Sequence, residues 1–122
     1  MRKLLIPLLA ALALPTSVNA GLDSRNTFDN RAYAVGVIWI QNCVAEKGWK
    51  SEQEAFVDAS KVIAKKGLNP MIFVQDERVI KGAKILTDIC VKRIKRNLES
   101  FQELRKSDEF RSAFGKVEKI IK

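Results

Sequence analysis

The sequence of 122 residues contains no histidine and only two cysteines, Cys43 and Cys90. Without histidine, the Ser-His-Asp and Cys-His arrangements of nucleophilic enzymes are excluded. The sequence also lacks a C-x-x-C redox motif, a P-loop, a dinucleotide-binding glycine motif and a calcium loop. We therefore predict a protein that is not an enzyme and that has no cofactor and no metal.

Paired carboxylates are the one catalytic feature that the sequence retains, and they leave a hydrolase as the only enzymatic alternative. The pairs are Glu52 with Glu54 and Asp76 with Glu77. Both pairs lie at predicted helix starts, where capping and the helix dipole favour acidic residues without any chemistry. We expect a structural role for them.

Long hydrophobic runs are also absent. The longest apolar segment, residues 4–14, follows Arg2 and Lys3 and precedes the small residues of Val18-Asn19-Ala20. This is the layout of a secretory signal peptide that is cleaved after Ala20. The alternative is an uncleaved anchor, but eleven residues are fewer than the roughly 20 that span a bilayer.

The leader, residues 1–20, resembles the signal peptide of many small secreted proteins of cyanobacteria, most of them uncharacterised. The resemblance implies export through the Sec route to the periplasm, the thylakoid lumen or the extracellular space. It says nothing about the rest of the chain, for which we predict a single domain over residues 21–122.

The predicted mature chain is basic. Without Arg2 and Lys3 it has 20 basic residues against 14 acidic ones, a net charge of +6. A hydrophobic content of 47% with 30% charged residues is typical of a folded domain. A chain of this length buries enough surface for one modest core.

Cys43 and Cys90 are predicted to form an intramolecular disulfide, because exported proteins meet an oxidising compartment. The bridge closes a loop with 46 residues between its ends, which corresponds to about 4 kcal/mol of stabilisation. The alternatives are a redox pair, metal ligands or an intermolecular disulfide.

The first helix is predicted to start at Thr27 or Asn30 and to run to about Lys47, where Gly48 stops it. Its inward stripe is predicted from apolar residues at helical spacing: Tyr33, Val37, Ile40 and Val44. Since Ile38, Trp39 and Cys43 flank that stripe, the apolar sector is wide and the helix is expected to be the central one. Gly36 lies inside it, and we expect a neighbouring helix to approach closely there.

The second helix is predicted to begin with the capping box Ser51-Glu52-Gln53-Glu54 and to end at Gly67. Asn69 and Pro70 then suit the N-cap and first position of a new element. Residues 71–74 are four consecutive apolar residues, which fit a short strand or a buried helical turn equally well. With no partner strand in view, we favour the turn or an irregular segment.

A long third helix is predicted from Asp76, with a bend near residues 97–100 left open. Its apolar stripe advances by three or four residues: Val79, Ala83, Leu86, Cys90, Ile94, Leu98, Phe101 and Leu104. A last helix follows Ser107. The fold predicted is an all-α bundle of four to five helices, with one disulfide between the first and third helices.

The densest basic run, residues 92–96, lies on the predicted third helix together with Lys81 and Lys84. Asp88 and Glu99 interrupt the cations, which is typical of a solvated face rather than a nucleic-acid-binding arm. An acidic partner is the alternative, and an anionic membrane surface is less favoured. The candidate partner surface comprises six residues: Trp49, Lys81, Lys84, Lys92, Lys95 and Arg96.

Residues 33–90 resemble Tai-type immunity proteins, which are exported helical proteins that bind and block toxins. The resemblance is carried by Tyr33, Gly36, Val37, Cys43, Gln53, Asn69-Pro70 and Cys90. The proline that the family pattern places beside the second cysteine is absent, since Ile89 precedes Cys90.

We therefore predict a non-enzymatic module that binds another protein. The alternatives are an immunity or inhibitor-type protein and a carrier of a small apolar ligand, in a cavity lined by Val37 and Leu86. The oligomeric state and the identity of the partner are left open.

Overall fold

The computed structural model describes residues 22–122, and the predicted leader lies outside the described residues. The described part forms six helices and no strand, with one isolated bridge between Asp23 and Leu68. The helices are α1 Phe28–Glu46, α2 Glu52–Lys65, α3 Pro70–Val74, α4 Glu77–Arg93, α5 Leu98–Lys106 and α6 Asp108–Ile121. The all-α class is confirmed, whereas the predicted number of four to five helices is too low.

The helix ends follow the capping residues. Thr27, not Asn30, caps α1, and its side chain accepts a hydrogen bond from the Asn30 backbone N–H. Ser51 and Glu54 form the complete capping box at the start of α2. Gly48 and Gly67 have φ of 79° and 95° after α1 and α2, a backbone conformation that glycine adopts without strain. These predicted boundaries are confirmed.

Residues 71–74 are helical. The Asn69 side chain accepts a hydrogen bond from the Met71 N–H at 3.1 Å, and Pro70 occupies the first turn of α3. Phe73 and Val74 are buried. Because α3 is a separate helix, the helix that carries Cys90 is the fourth and not the third, and the disulfide joins α1 to α4.

The predicted stripe does not continue as one helix beyond Arg93. Ile94 is extended, with φ −80° and ψ 143°, and residues 94–97 form a loop. Asn97 starts α5 by accepting a hydrogen bond from the Ser100 N–H at 2.8 Å. The chain is therefore interrupted where a bend near residues 97–100 was left open, although the loop begins earlier, at Ile94. As a result Leu98, predicted to point inward, is 75% exposed.

The core is built around the contact between α1 and α4. The fully buried Cys43 and Cys90 join the two helices, with their Cα atoms 6.0 Å apart. Helix α2 packs on α1, and α6 packs on α4. No helix between residues 22 and 122 is both long enough and apolar enough to cross a membrane.

Removal of the disulfide is expected to lower the free energy of unfolding by about 4 kcal/mol, since the closed loop restricts the unfolded chain. The measurement is urea unfolding of the oxidised protein against the Cys43→Ala/Cys90→Ala double variant. Because both side chains are buried, part of the loss reflects packing, and the reduced wild-type protein serves as the control. A reduced protein as stable as the oxidised one would contradict the expectation.

Asp76 caps α4, and we predict that it makes the free energy of unfolding depend on pH in the acidic range. Its side chain is only 8% exposed. Burial alone would raise its pKa, but hydrogen bonds from Arg78 and Asn26 and the charge of Arg78 outweigh burial and lower the pKa to about 2. Since the pKa is lower in the folded state, the stabilisation is complete above pH about 4 and is lost as the pH falls toward 2.

Asn is also a good N-cap, so Asp76→Asn removes the charge and keeps the cap. At pH 6 the variant is expected to be less stable than the wild type by about 2 kcal/mol, and the difference should shrink by pH 2. Denaturant unfolding at both pH values measures it. A difference that does not change with pH would show that the charge of Asp76 contributes nothing.

A candidate binding groove over helix α1

Helix α1 is apolar on two sides, and the side that faces the core is not the one predicted. Its buried apolar residues are Ala34, Val35, Ile38, Trp39, Cys43 and Ala45. The predicted inward stripe of Tyr33, Val37, Ile40 and Val44 is only half-buried. The bridge from Cys43 to Cys90 fixes which side turns toward α4, so the second apolar stripe is left on the outside.

This outer stripe is the floor of a surface groove, which we call the α1 groove. One depression of about 590 Å³ lies over Tyr33, Gly36 and Val37. A second of about 420 Å³ lies over Val44 and Trp49. The two share Ile40 and Arg105 in their linings, so they run together along α1. Both volumes are in the range of ligand-binding clefts.

The walls of the α1 groove are apolar. Val62 of α2 lines one side, and Phe110 and Phe114 of α6 line the first depression with it. Leu98 and Phe101 of α5 line the second. Within the described chain, Val62 at 41% and Leu98 at 75% are the two large hydrophobic residues that are exposed. Both belong to this groove, although 36 positions separate them in the sequence.

Trp49 lies at one end of the groove because of how α1 ends. The backbone N–H of Gly48 donates to Ala45 O at 2.9 Å and that of Trp49 donates to Val44 O at 3.0 Å. This is the Schellman pattern of a helix that ends in a left-handed residue. The half-buried indole packs on the core, and the Arg96 guanidinium lies over its ring, 5.7 Å from the centroid.

Every charged residue that lines the groove is basic: Lys50, Arg96 and Arg105. Lys50 is already paired, because its Nζ donates to Asp58 at 2.6 Å. Arg105 lies over the Trp39 ring, 5.9 Å from the centroid. Neither Arg96 nor Arg105 has a carboxylate in ion-pair distance in the part of the chain from residue 22 onward.

The predicted partner surface is divided by the structure. Trp49 and Arg96 come together at one end of the groove. Lys81, Lys84 and Lys92 lie on α4, where Lys84 pairs with Asp88 at 3.4 Å. Lys95 lies in the loop before α5 and not on a helix face. None of these four lysines is among the residues that line the groove.

The predicted carrier cavity does not form as expected. Val37 lines the groove, whereas Leu86 of α4 is fully buried in the core. The acidic pairs lie at helix starts: Glu54 completes a capping box and Asp76 caps α4. No cluster of three or more potential metal-ligating side chains was found among the described residues.

Nothing in the local sequence pattern marks Val62, Arg105 or Phe114 as site residues, because α2, α5 and α6 bring them together. The one available signal is that α1 is apolar on both sides. Comparison with known proteins gives no match: no family model matches the sequence, and no curated protein or solved structure matches the chain.

Gly36 and Gly82 form a matched pair of helical glycines. A Cβ at Gly36 meets nothing within 4 Å, so the predicted close approach of a neighbouring helix is wrong there. At Gly82 the Cβ comes within 2.9 Å of Val117 Cγ1 and 3.4 Å of Val35 Cγ2. The close approach in this fold is therefore at Gly82, where α6 and α1 pack on α4.

Alanine at the two positions is expected to have opposite effects on the free energy of unfolding. Gly36→Ala should raise it by up to about 1 kcal/mol through helix propensity. Gly82→Ala should lower it by about 1–3 kcal/mol, because it overpacks two stiff β-branched side chains. Urea unfolding measures both, and each variant is the control for the other. A loss of stability in Gly36→Ala would show that the floor of the groove is not open.

Proposed function

We propose that this protein acts by non-covalent binding and that the α1 groove receives an apolar segment of another protein. The carrying observation is the outer stripe of α1, an apolar floor that the described chain covers only in part. An apolar side of a helix is normally buried against another element. A further element packed on α1, supplied by a partner, completes the burial.

The rims support a protein partner over a small apolar ligand. Small-molecule sites bury most of the ligand surface in a concave pocket. Here Leu98 and Val62 extend the apolar surface outward beyond the floor, where only a larger partner contacts them. Contiguous exposed apolar surface with a polar rim is typical of protein interaction sites.

The proposal includes the expectation that the protein is exported and works outside the cytoplasm. An immunity or inhibitor-type role is compatible with a groove that binds a protein segment. A carrier role for a small apolar ligand is the second candidate, and the experiment below distinguishes it.

Gly36→Leu is the test of the groove, since it places a large side chain on the open floor. Gly115→Leu is the matched control: Gly115 is a helical glycine of α6, a Cβ there also meets nothing within 4 Å, and it does not line the groove. Both changes favour the helix. Circular dichroism and unfolding confirm that both variants are folded.

We expect a protein captured by the oxidised wild type and by Gly115→Leu to be lost from Gly36→Leu. The wild type is purified from cells that express the full sequence, and capture is done with the exported fraction. Capture that is equal for both variants would contradict the proposed site. A co-purifying lipid-like molecule that only Gly36→Leu loses, found by native mass spectrometry, would replace the proposal with the carrier function.

A further inference from the structure

We infer that the segment which fills the α1 groove is an acidic amphipathic helix of about three turns, whose carboxylates contact Arg96 and Arg105. The inference rests on the proposed function and names the chemistry of the partner. Three observations carry it: the backbone of the groove, its length, and the charge of one end.

The groove offers no backbone hydrogen bonds, so a bound segment must form its backbone hydrogen bonds within itself. Its floor is a helix, α1, whose N–H and C=O groups are engaged in helical hydrogen bonds. An extended peptide needs an exposed strand edge to pair with, and residues 22–122 contain no strand. In an apolar groove the backbone N–H and C=O groups of an extended peptide would have no hydrogen-bond partners. Those of a helix are already paired within the helix.

The length of the floor matches a short helix. From Tyr33 to Val44 the floor spans eleven helical steps, which is about 17 Å or three turns. A helix of this length presents apolar residues at i, i+3, i+4 and i+7. Gly36 provides open space on the floor, where a partner helix approaches α1 closely. The chain already uses this device at Gly82, against which Val117 packs.

The basic residues that line the groove indicate that the partner helix is negatively charged. The first depression has one charged lining residue, Arg105, whereas the second also has Arg96 and the paired Lys50. The guanidinium groups of Arg96 and Arg105 lie over Trp49 and Trp39. A guanidinium stacked on a ring still offers N–H donors at its edge, in the fork that matches a carboxylate. The helix therefore has glutamate or aspartate toward the Trp49 end.

Two synthetic peptides test the inference. Each has 14 residues, the same leucines at i, i+3, i+4 and i+7 and a helix-favouring background; one has glutamate and the other lysine beside the apolar stripe. Affinity is measured by fluorescence anisotropy at low and physiological salt. We expect the glutamate peptide to bind the wild type at least tenfold more tightly than the lysine peptide, with the difference reduced at higher salt.

Charge-removing variants locate the effect. Arg96→Gln/Arg105→Gln should weaken the glutamate peptide by roughly threefold to tenfold, the range for partly exposed ion pairs. Lys81→Gln/Lys92→Gln removes the same charge from α4 and should change nothing. An equal loss in both double variants would show that net charge, and not the groove, attracts the peptide, and would overturn the inference.

The outcomes separate the partner chemistry from the site. Equal binding of both peptides that Gly36→Leu abolishes would overturn the acidic helix and leave the groove. Peptide binding that Gly36→Leu does not weaken would contradict the groove itself. Binding of neither peptide would overturn the inference, while the capture experiment with Gly36→Leu decides the proposed function independently.

Displacement of the glutamate peptide by micromolar oleate would favour an anionic amphiphile, and a dimer by sizing would favour a second copy of the chain.

Discussion

The crossing of α1 and α4 is the constraint on which the rest of the structure depends. The Cys43–Cys90 bridge closes it, and the buried Thr87 hydroxyl lies within the same contact, donating to Ala83 O at 2.7 Å. Gly82 lets α6 lie close on α4. With one side of α1 committed to this crossing, its second apolar side turns outward, and α2, α5 and α6 become the walls of a groove rather than a cover.

The capping chemistry made the helix boundaries predictable. Thr27, Ser51, Asn69 and Ser107 start helices because each side chain accepts a hydrogen bond from a free backbone N–H. The facing of α1 was not predictable in the same way, since two stripes of similar apolar character run along it. Periodicity identifies an amphipathic side, but it does not choose between two apolar sides.

The break before α5 is a local effect, and the sequence left it open as a bend near residues 97–100. The apolar spacing continues through Ile94 and Leu98 and favours one helix, but the side chain of Asn97 competes by capping a new one. The groove, in contrast, depends on tertiary structure and could not be predicted for that reason. The groove is assembled from four helices, and its basic end needs Arg96 and Arg105 to lie over tryptophans distant in sequence. The basic run of residues 92–96 therefore divides into a helical part on α4 and a loop part, of which Arg96 lines the groove.

Helix α5 buries little of its surface, so this wall of the groove is less firmly attached than the floor. Leu104 is the single buried residue of α5. A loop joins α5 to α4, and the Ser100 hydroxyl of α5 donates to Lys95 O in that loop at 2.6 Å. Elements with little buried surface open at a lower free energy than the core. We therefore expect the floor, which is part of the disulfide-linked crossing, to open only with global unfolding. The wall formed by α5 is expected to open at a lower free energy. If the groove binds a segment of another protein as proposed, we expect α5 to be the wall that moves at the lowest free energy, with the core unchanged.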